Sequence, residues 1–387
     1  MFLRFLNSLF AFLNLPFINA HPDSPCANCT VNRMNQTQTV SNYVTINTSP
    51  ATPFEDAKLS AINTTAWESY NFEGVSANGS AGVSVTFYRN PALALLGQGV
   101  LWVEIDAVWA NGTQWTTALW QRESLITSCD DATYGYWNNS HPTTKVSFSV
   151  PNSLKWAKLN IFGPGVTGDW EMTSIAPAVT ADGMSQSDSN ASVELAPLAY
   201  WNEAIPMATL HAHFHLSGTE FSLLGLGGHG RNWAPYNWNS LVEKWYRVRA
   251  VAGPYSMLFW TFKSAINKQT YTSAVLSQNG TKIFSTRNAV AAGDSDFATY
   301  VLSYGGKIHG TYPENSTGIV VDFVGGGKHW RFAVEHANVV YETLNGTTRF
   351  GKYSRFVNTV NGGELGEQLW EGVATSDQVI VADPIPL

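Results

Sequence analysis

The sequence predicts an all-β protein of 387 residues. Short runs of alternating apolar and polar residues recur at a spacing of roughly ten residues, which is typical of β-sandwiches and β-barrels. Four Asn-Gly pairs lie between such runs. Asn-Gly suits the two-residue type I′ turn of a β-hairpin, because both central residues of that turn take positive φ. Helical patterns are sparse, and only 240–245 is expected to form one or two helical turns.

The clearest predicted hairpin turns at Asn111-Gly112. Its first strand, residues 100–110, alternates apolar residues with Trp102, Glu104 and Asp106. Since successive side chains of a strand point to opposite faces, this strand has one wholly apolar face. The same pattern predicts strands at 83–90, 145–150, 156–163, 207–216, 246–253, 256–263, 298–304, 318–324, 329–336 and 354–360.

A domain boundary is expected near residue 195. The segment ADGMSQSDSN, residues 181–190, is polar and has no periodicity, and new strand material begins at 198–201. We therefore expect one β domain over residues 61–195 and a second over residues 196–387.

The N-terminus has the pattern of a secretory signal peptide over residues 1–20. Arg4 supplies the positive charge, residues 5–17 are an apolar run that is short for a membrane span, and Ile18-Asn19-Ala20 resembles a cleavage site. An uncleaved anchor is the alternative. Residues 21–60 are expected to form an extended, glycosylated leader. No later apolar run approaches membrane length, so we expect a protein of the secretory pathway with no stable membrane insertion after cleavage.

Glycosylation sequons and cysteines fit that route. Because Asn-X-Ser/Thr is an acceptor pattern of the secretory pathway, its density here predicts a glycoprotein. Cys26, Cys29 and Cys129 allow one disulfide and one free thiol, with the pairing open. The sequons are at Asn28, Asn35, Asn47, Asn63, Asn78, Asn111, Asn138, Asn190, Asn279, Asn315 and Asn345.

Charge and motifs exclude several functional classes. The net charge is -7 and only 13% of residues are charged, with no basic stripe, so nucleic acid is not an expected partner. Serine-hydrolase, P-loop and Rossmann signatures are absent from the sequence. His211, His213 and His215 alternate and would share one face of a strand. Three imidazoles on one face could bind zinc, copper or iron, and the alternative is a solvated or pocket-lining face.

Aromatic residues concentrate in residues 227–262, which predicts either a pocket for a large apolar ligand or a packed corner of the core. Glu68 lies between Trp67 and Tyr70, so its pKa would be raised if the carboxyl is buried. An exposed strand position is the alternative for Glu68. Asn90 closes a predicted strand, where it can donate a hydrogen bond to a ligand carbonyl or cap its own turn.

These segments, taken in order, resemble the fungal Diels–Alderases, a family similar in turn to the lipocalin-like carotenoid 1,2-hydratases. The resemblance implies an N-terminal β-sandwich and a C-terminal lipocalin-like β-barrel, with the ligand bound between them. It also implies a pericyclase that needs no cofactor and no metal and acts on a small-molecule polyene. The matching segments are 65–76, 84–90, 101–115, 221–238, 251–262, 318–336 and 361–374.

The resemblance also implies site residues. Glu68 and Asn90 match polar residues of the family pocket, and Tyr341 falls where some members carry a wall Trp. Some members hold the polar end of the substrate with a Lys, for which Lys352 and Arg355 are the candidates here. The predicted catalytic residues, which orient that polar end, are Glu68, Asn90 and Arg231. The predicted substrate-binding residues are Trp67, Tyr70, Trp233, Trp238, Tyr255 and Tyr341.

One departure from the family pattern concerns a proton donor. Members commonly show Gly-Gly-X-Asp-Arg-X-Trp, whereas this chain has Gly230 in place of the Asp. That change weakens a hydratase reading and favours a stereoselective 4+2 cycloaddition of a polyene polyketide or polyketide–amino-acid hybrid. The signal peptide points to the cytochalasan type within the family. The alternatives are a lipocalin-like carrier of hydrophobic ligands and a hydratase or terpene-type cyclase.

Overall fold

The structure is a computed structural model that describes residues 28–37, 39–94, 97–139, 144–291, 295–311, 313–343, 352–381 and 384. The expected signal peptide, Cys26 and the sequon at Asn345 lie outside the described residues. Within them the chain is built almost wholly from antiparallel strands, which form one sheet of 14 strands and one of 9. The predicted all-β class is confirmed.

The first sheet has the main order β1-β6-β7-β8-β9-β10-β13-β14-β2-β3-β4-β5, with β11 and β12 paired to β13. Its strands are β1 (Thr30–Asn35), β2 (Trp67–Ser76), β3 (Gly82–Arg89), β4 (Leu101–Val108), β5 (Gln114–Trp120), β6 (Glu123–Ser128), β7 (Ala132–Asn138), β8 (Lys145–Pro151), β9 (Trp156–Gly163), β10 (Val166–Ser174), β11 (Val179–Thr180), β12 (Glu194–Ala196), β13 (Ala199–Leu216) and β14 (Thr219–Ala234).

A single turn of helix, α1 (Trp238–Leu241), connects the two sheets. It overlaps the predicted helical segment only at Ser240 and Leu241, because residues 242–245 already belong to a strand. The second sheet has the order β18-β17-β16-β15-β23-β22-β21-β20-β19. Its strands are β15 (Val242–Ala252), β16 (Tyr255–Ser264), β17 (Thr270–Gln278), β18 (Thr281–Thr286), β19 (Phe297–Ser303), β20 (Gly318–Gly325), β21 (Lys328–Glu342), β22 (Lys352–Glu364) and β23 (Trp370–Ile380).

The change of sheet comes later in the chain than the boundary expected near residue 195. Strands β13 and β14 follow that position, yet they lie inside the first sheet, between β10 and β2. The segment 181–190 therefore connects two strands of the first sheet, β11 and β12. The second sheet begins only at Val242.

One of the predicted Asn-Gly turns has the expected two-residue geometry. Asn279 and Gly280 both have positive φ, 50° and 75°, and directly join β17 to β18. At Asn78-Gly79 and Asn111-Gly112 the connections are longer, and only the glycine takes positive φ.

The first sheet curls into a half-barrel around its own core. Phe87 on β3 packs against Phe148 on β8 with ring centroids 5.2 Å apart, although these strands are not neighbours in the sheet. We call this core side the inner face. The second sheet is a nearly closed barrel, because Phe284 on the edge strand β18 reaches Phe323 on β20 at 5.6 Å. Large side chains such as Phe332 fill the barrel interior.

The segment expected as an extended leader is tied to the first sheet. β1 pairs with β6, and Cys29 forms a disulfide with Cys129. No helix of the described residues is long and apolar enough to cross a membrane.

Candidate active site between the two sheets

Glu68 and Arg231, two of the predicted catalytic residues, meet on the inner face of the first sheet. Glu68 is fully buried, and its carboxylate accepts hydrogen bonds from Arg89 at 3.0 Å and Arg231 at 2.9 Å. It also accepts the backbone N–H of Lys58 at 2.8 Å. Arg231 donates to the carbonyl oxygens of Phe54 and Asp56, both at 2.6 Å. Both carboxylate oxygens are therefore occupied, and the bonds of Oε2 and of Arg231 hold residues 54–58 on the inner face.

Tyr70 and Trp233 belong to the same packed region. The Arg231 guanidinium lies 3.7 Å from the Tyr70 ring centroid, and Trp233 donates its indole N–H to the Asn47 carbonyl at 3.0 Å. Both side chains are buried. Their contacts are with the protein itself, so this region is a core in which a cation and aromatic rings pack together.

Asn90 directly follows Arg89, the partner of Glu68, whereas Tyr255 lies on the barrel strand β16. Asn90 accepts the backbone N–H of Ala92 at 2.8 Å, which caps its own turn, as one of the two interpretations expected. Tyr255 lies in the barrel core, where its ring packs edge-on against Phe332 at 5.9 Å. The predicted substrate-binding residues Tyr70 and Tyr255 therefore belong to two different cores, that of the first sheet and that of the barrel.

A different set of side chains comes together where the outer face of the first sheet meets the outer wall of the barrel. We define the inter-sheet site by its polar members Tyr88, Glu104, Asp106, Tyr341, Tyr353 and Arg355, together with the aromatic Trp245. Tyr88, Glu104 and Asp106 extend from β3 and β4, and the others extend from β15, β21 and β22. Of the residues named from the sequence, Tyr341 and the candidate Arg355 belong to this set.

The guanidinium of Arg355 organises the polar half of the inter-sheet site. Arg355 is buried and donates to the Tyr353 hydroxyl at 2.5 Å and to the Ser84 hydroxyl. Ser84 in turn donates to Asp106 at 3.2 Å, and Arg355 lies 3.7 Å from the same carboxylate. The Nε of Arg355 has no hydrogen-bond partner among the described residues. A buried donor without a partner is costly, so Nε is available to a ligand oxygen.

Three further polar groups of the site are unengaged. Tyr88, Glu104 and Tyr341 are half-buried, and none of their hydroxyl or carboxyl groups forms a hydrogen bond within the described part of the chain. These polar side chains between two packed layers thus remain partly accessible to solvent.

Burial and charge perturb these groups in a consistent direction. Burial, with the neighbouring carboxyl of Asp106, raises the pKa of Glu104 to about 8. Burial also raises the pKa of Asp106, against the opposing effect of Arg355. For Tyr341, burial and the two carboxyl groups raise the pKa of the phenol. At neutral pH the Glu104 carboxyl and the Tyr341 phenol are therefore protonated hydrogen-bond donors near one guanidinium.

The aromatic half of the site adjoins this polar half. Trp245 lies 6.4 Å from Tyr353, and Tyr353 lies 5.8 Å from Tyr341. Trp238 packs on Trp245 at 5.9 Å. The predicted Trp67 joins the same cluster and donates its indole N–H to the Tyr236 carbonyl at 2.8 Å. Three of the predicted substrate-binding residues, Trp67, Trp238 and Tyr341, are thus linked through Trp245 and Tyr353.

A buried ion network beside the site joins the two sheets. Arg249 on the barrel contacts Glu73 and Glu203 of the first sheet. Arg247 pairs with Glu73 at 2.9 Å and with Asp377 at 2.6 Å. Burial opposes ionisation of Glu73, but the two guanidinium groups lower its pKa to about 2. These charges fix the orientation of one sheet relative to the other.

The histidine strand lies on the surface away from this site. His211 and His215 are exposed, and His213 approaches Glu220 at 3.3 Å. Among the described residues, no group of three His, Cys, Asp or Glu side chains is placed to hold a metal ion.

A separate cleft of about 760 Å³ opens elsewhere along the barrel wall. It is lined by polar and small residues, including Asn78, Thr317, Glu335 and Asn361. None of the predicted catalytic or substrate-binding residues lines it.

Sequence reasoning missed Glu104, Asp106, Tyr88, Tyr353 and Trp245 as site residues. A signal for the first two was present, because they are carboxylates in a strand whose other members are apolar. Both faces of that strand are almost wholly buried. The alternation of residues in the sequence does not show that the barrel covers the second face.

Comparison with known proteins places these features in a family context. Residues 26–382 match the family described as Diels-Alderase-like. The chain is 32% identical over 337 residues to Diels-Alderase phmD of Phaeosphaeria nodorum, covering 86% of this chain and 93% of that protein. It is 33% identical over 366 residues to Diels-Alderase poxQ of Penicillium oxalicum, covering 94% of this chain and 79% of that protein.

A solved structure shares the architecture. The crystal structure of CghA with Sch210972 matches with a TM-score of 0.78 at 24% identity, covering 91% of this chain and 98% of that chain. This likeness shows a common fold.

Proposed function

Because the chain belongs to the Diels-Alderase-like family, we propose that it catalyses a stereoselective 4+2 cycloaddition at the inter-sheet site. The substrate class is a linear polyene polyketide, or a polyketide–amino-acid hybrid, of fungal secondary metabolism. The observation that carries this assignment is the meeting of unengaged hydrogen-bond donors with an aromatic wall in one gap between the sheets. The relatives named Diels-Alderases support the reaction type.

The proposed reaction requires the protein mainly to bind and orient the substrate. Two carbon–carbon σ bonds form as three π bonds become one, and no atom is gained or lost. Holding diene and dienophile in one near-attack geometry can supply several kcal/mol of the barrier, up to ~7–11 kcal/mol in ideal cases. Trp245, Tyr353 and Tyr341 would fold the polyene chain, because flat rings offer contact area with a defined shape.

The polar half of the site would hold the carbonyl end of the substrate. Nε of Arg355 is a buried donor without a partner among the described residues, and Tyr88 and Tyr341 lie close enough to Arg355 to feel its charge. A hydrogen bond that strengthens as charge develops on the carbonyl lowers the barrier, by ~1–3 kcal/mol when one partner is charged.

The test uses a synthetic linear polyene whose dienophile is conjugated to a carbonyl group. The wild type should convert this probe to one cyclised diastereomer. Trp245→Ala should slow conversion and mix the diastereomers, with a melting temperature measured alongside. The matched control is Phe162→Ala, an exposed aromatic on β9 far from the gap, which should leave rate and ratio unchanged.

The same experiment separates the competing functions. Recovery of bound but unchanged probe would favour a lipocalin-like carrier. Incorporation of solvent deuterium into the product would favour a hydratase or terpene-type cyclase, since those reactions need a proton donor. Large side chains fill the barrel interior, which argues against a carrier that stores its ligand there.

We also propose that the protein matures in the secretory pathway, in keeping with a cytochalasan-type role. The disulfide between Cys29 and Cys129 supports an oxidising compartment. None of the ten sequon asparagines within the described residues is buried, and six of them are exposed, which favours glycans at Asn28, Asn78, Asn111, Asn190, Asn279 and Asn315. A mass decrease of the secreted protein on treatment with peptide-N-glycosidase would support this location, and intracellular unglycosylated protein would contradict it.

A further inference from the structure

Glu104 is the less engaged of the two carboxyl groups in the inter-sheet site. It lies on β4, two residues before Asp106, so both side chains point to the same outer face of the first sheet. Asp106 is fully engaged, accepting from Thr116 at 2.5 Å and from Ser84 at 3.2 Å. Glu104 has no hydrogen-bond partner within the described residues, although it is largely enclosed between the sheets.

The groups facing Glu104 come from every strand packed around it. On its own strand the neighbour is Asp106, and Tyr88 faces it from β3. Tyr341 on β21 and Arg355 on β22 face it from the barrel. On β5 the residue directly opposite Glu104 is the uncharged Ala118.

The cation in this set, Arg355, forms its ion pair with Asp106 and not with Glu104. Arg355 donates to Ser84 and Tyr353, and its nearest carboxylate is Asp106 at 3.7 Å. Burial and the Asp106 carboxyl therefore dominate, and they raise the pKa of Glu104 to about 8. A carboxylic acid that stays neutral at pH 7 is a hydrogen-bond donor, whereas a carboxylate only accepts.

We propose that Glu104 donates a hydrogen bond, as a neutral carboxylic acid, to the substrate carbonyl conjugated with the dienophile. This inference rests on the proposed function. The proton stays on Glu104 throughout, so the reaction gains and loses no atoms. Withdrawal of electron density from the dienophile speeds the cycloaddition, and loss of one such preorganised donor lowers rates by about 100- to 1000-fold in other enzymes.

The experiment measures cyclisation of the synthetic polyene probe between about pH 6 and pH 10. The wild-type rate should fall as pH rises through about 8, because ionised Glu104 no longer donates. Glu104→Gln keeps an N–H donor that does not titrate, so it should retain most of the rate at pH 7 and lose the alkaline decline. Glu104→Ala should lower the rate at every pH. The control is Glu220→Gln, a strand carboxylate on β14 outside the site, which should behave as the wild type.

Difference infrared spectroscopy gives a readout independent of turnover. The wild type should show a protonated carboxyl band at pH 7 that disappears in Glu104→Gln, and absence of this band would overturn the inference. An unchanged alkaline decline in Glu104→Gln, or an unchanged rate in folded Glu104→Ala, would overturn it while leaving the cycloaddition in place. A wild type that cyclises nothing at any pH would overturn both the proposed function and the role of Glu104.

Discussion

The carboxylate of Glu203 fills the space that a side chain at Gly230 would occupy. A Cβ placed on Gly230 would lie 2.7 Å from the carboxyl carbon and both carboxylate oxygens of Glu203. Glu203 extends from β13, the strand next to the one that carries Gly230. The carboxylate beside Gly230 therefore comes from the adjacent strand, and Arg249 holds it as an ion pair.

Substitution of Gly230 should destabilise the protein. Gly230→Ala places a methyl group against a buried carboxylate, and overpacking of this kind costs about 1–3 kcal/mol of unfolding free energy. Gly230→Asp should cost more, because it adds a second carboxylate beside Glu203. Urea unfolding measures both. Gly305→Ala is the matched control, since a Cβ there meets nothing within 4 Å, and an equal loss in that variant would contradict the packing argument.

Loss of the Arg249 side chain should lower the free energy of unfolding far more than loss of an exposed ion pair. Arg249→Met leaves Glu73 and Glu203 buried with less compensation, and breaking a buried pair costs about 3–5 kcal/mol. Lys158→Met breaks the exposed pair with Glu171 and should cost ~0–1 kcal/mol. Denaturant unfolding of the two variants compares them directly. Similar losses in both would mean that the inter-sheet network does not hold the sheets together.

Acid should weaken the junction of the sheets through Glu73. Its pKa is lowered from 4.5 to about 2, so its contribution to folding is complete above pH 4.5 and is lost as pH falls toward 2. Melting temperatures measured over this range should decline for the wild type and decline less for Glu73→Gln, which starts less stable. Parallel curves would show that other groups govern the acid sensitivity.

Glu68 should matter for stability rather than for the chemical step. Glu68→Gln removes the charge that Arg89 and Arg231 share, which leaves two buried cations poorly paired and should cost about 3–5 kcal/mol. At a temperature where the variant remains folded, its product ratio should match the wild type. A changed diastereomer ratio in folded protein would restore the catalytic role that the sequence predicts for Glu68.

The positions of the strands can largely be predicted from the sequence, but the sheet to which each strand belongs cannot. Alternation located β9 over residues 156–163 with its observed bounds, and Asn279-Gly280 formed the expected hairpin turn. The polar composition of residues 181–190 predicts a domain linker, but β13 and β14, which follow it, belong to the first sheet. Sheet membership depends on pairing with strands distant in sequence, which local patterns do not encode.

The same limit explains the mixed outcome for the candidate site. Glu68 and Arg231 are neighbours as expected, but alternation cannot tell which face of β2 and β14 looks inward to a core. Tyr255 and Trp260 come from one aromatic segment and point into different compartments, the barrel interior and the junction between sheets. The alternation predicts that Glu104 lies on the solvent-exposed face of a hairpin, whereas in the structure the barrel packs on that face.

The most direct test of a reaction between the sheets is a crystal structure of the protein with its cyclised product. The proposed function predicts that the product lies in the inter-sheet site, with its carbonyl oxygen within hydrogen-bonding distance of Arg355 or Glu104 and its ring system against Trp245 and Tyr353. Product bound inside the barrel beside Tyr255, or on the inner face of the first sheet beside Glu68, would contradict it.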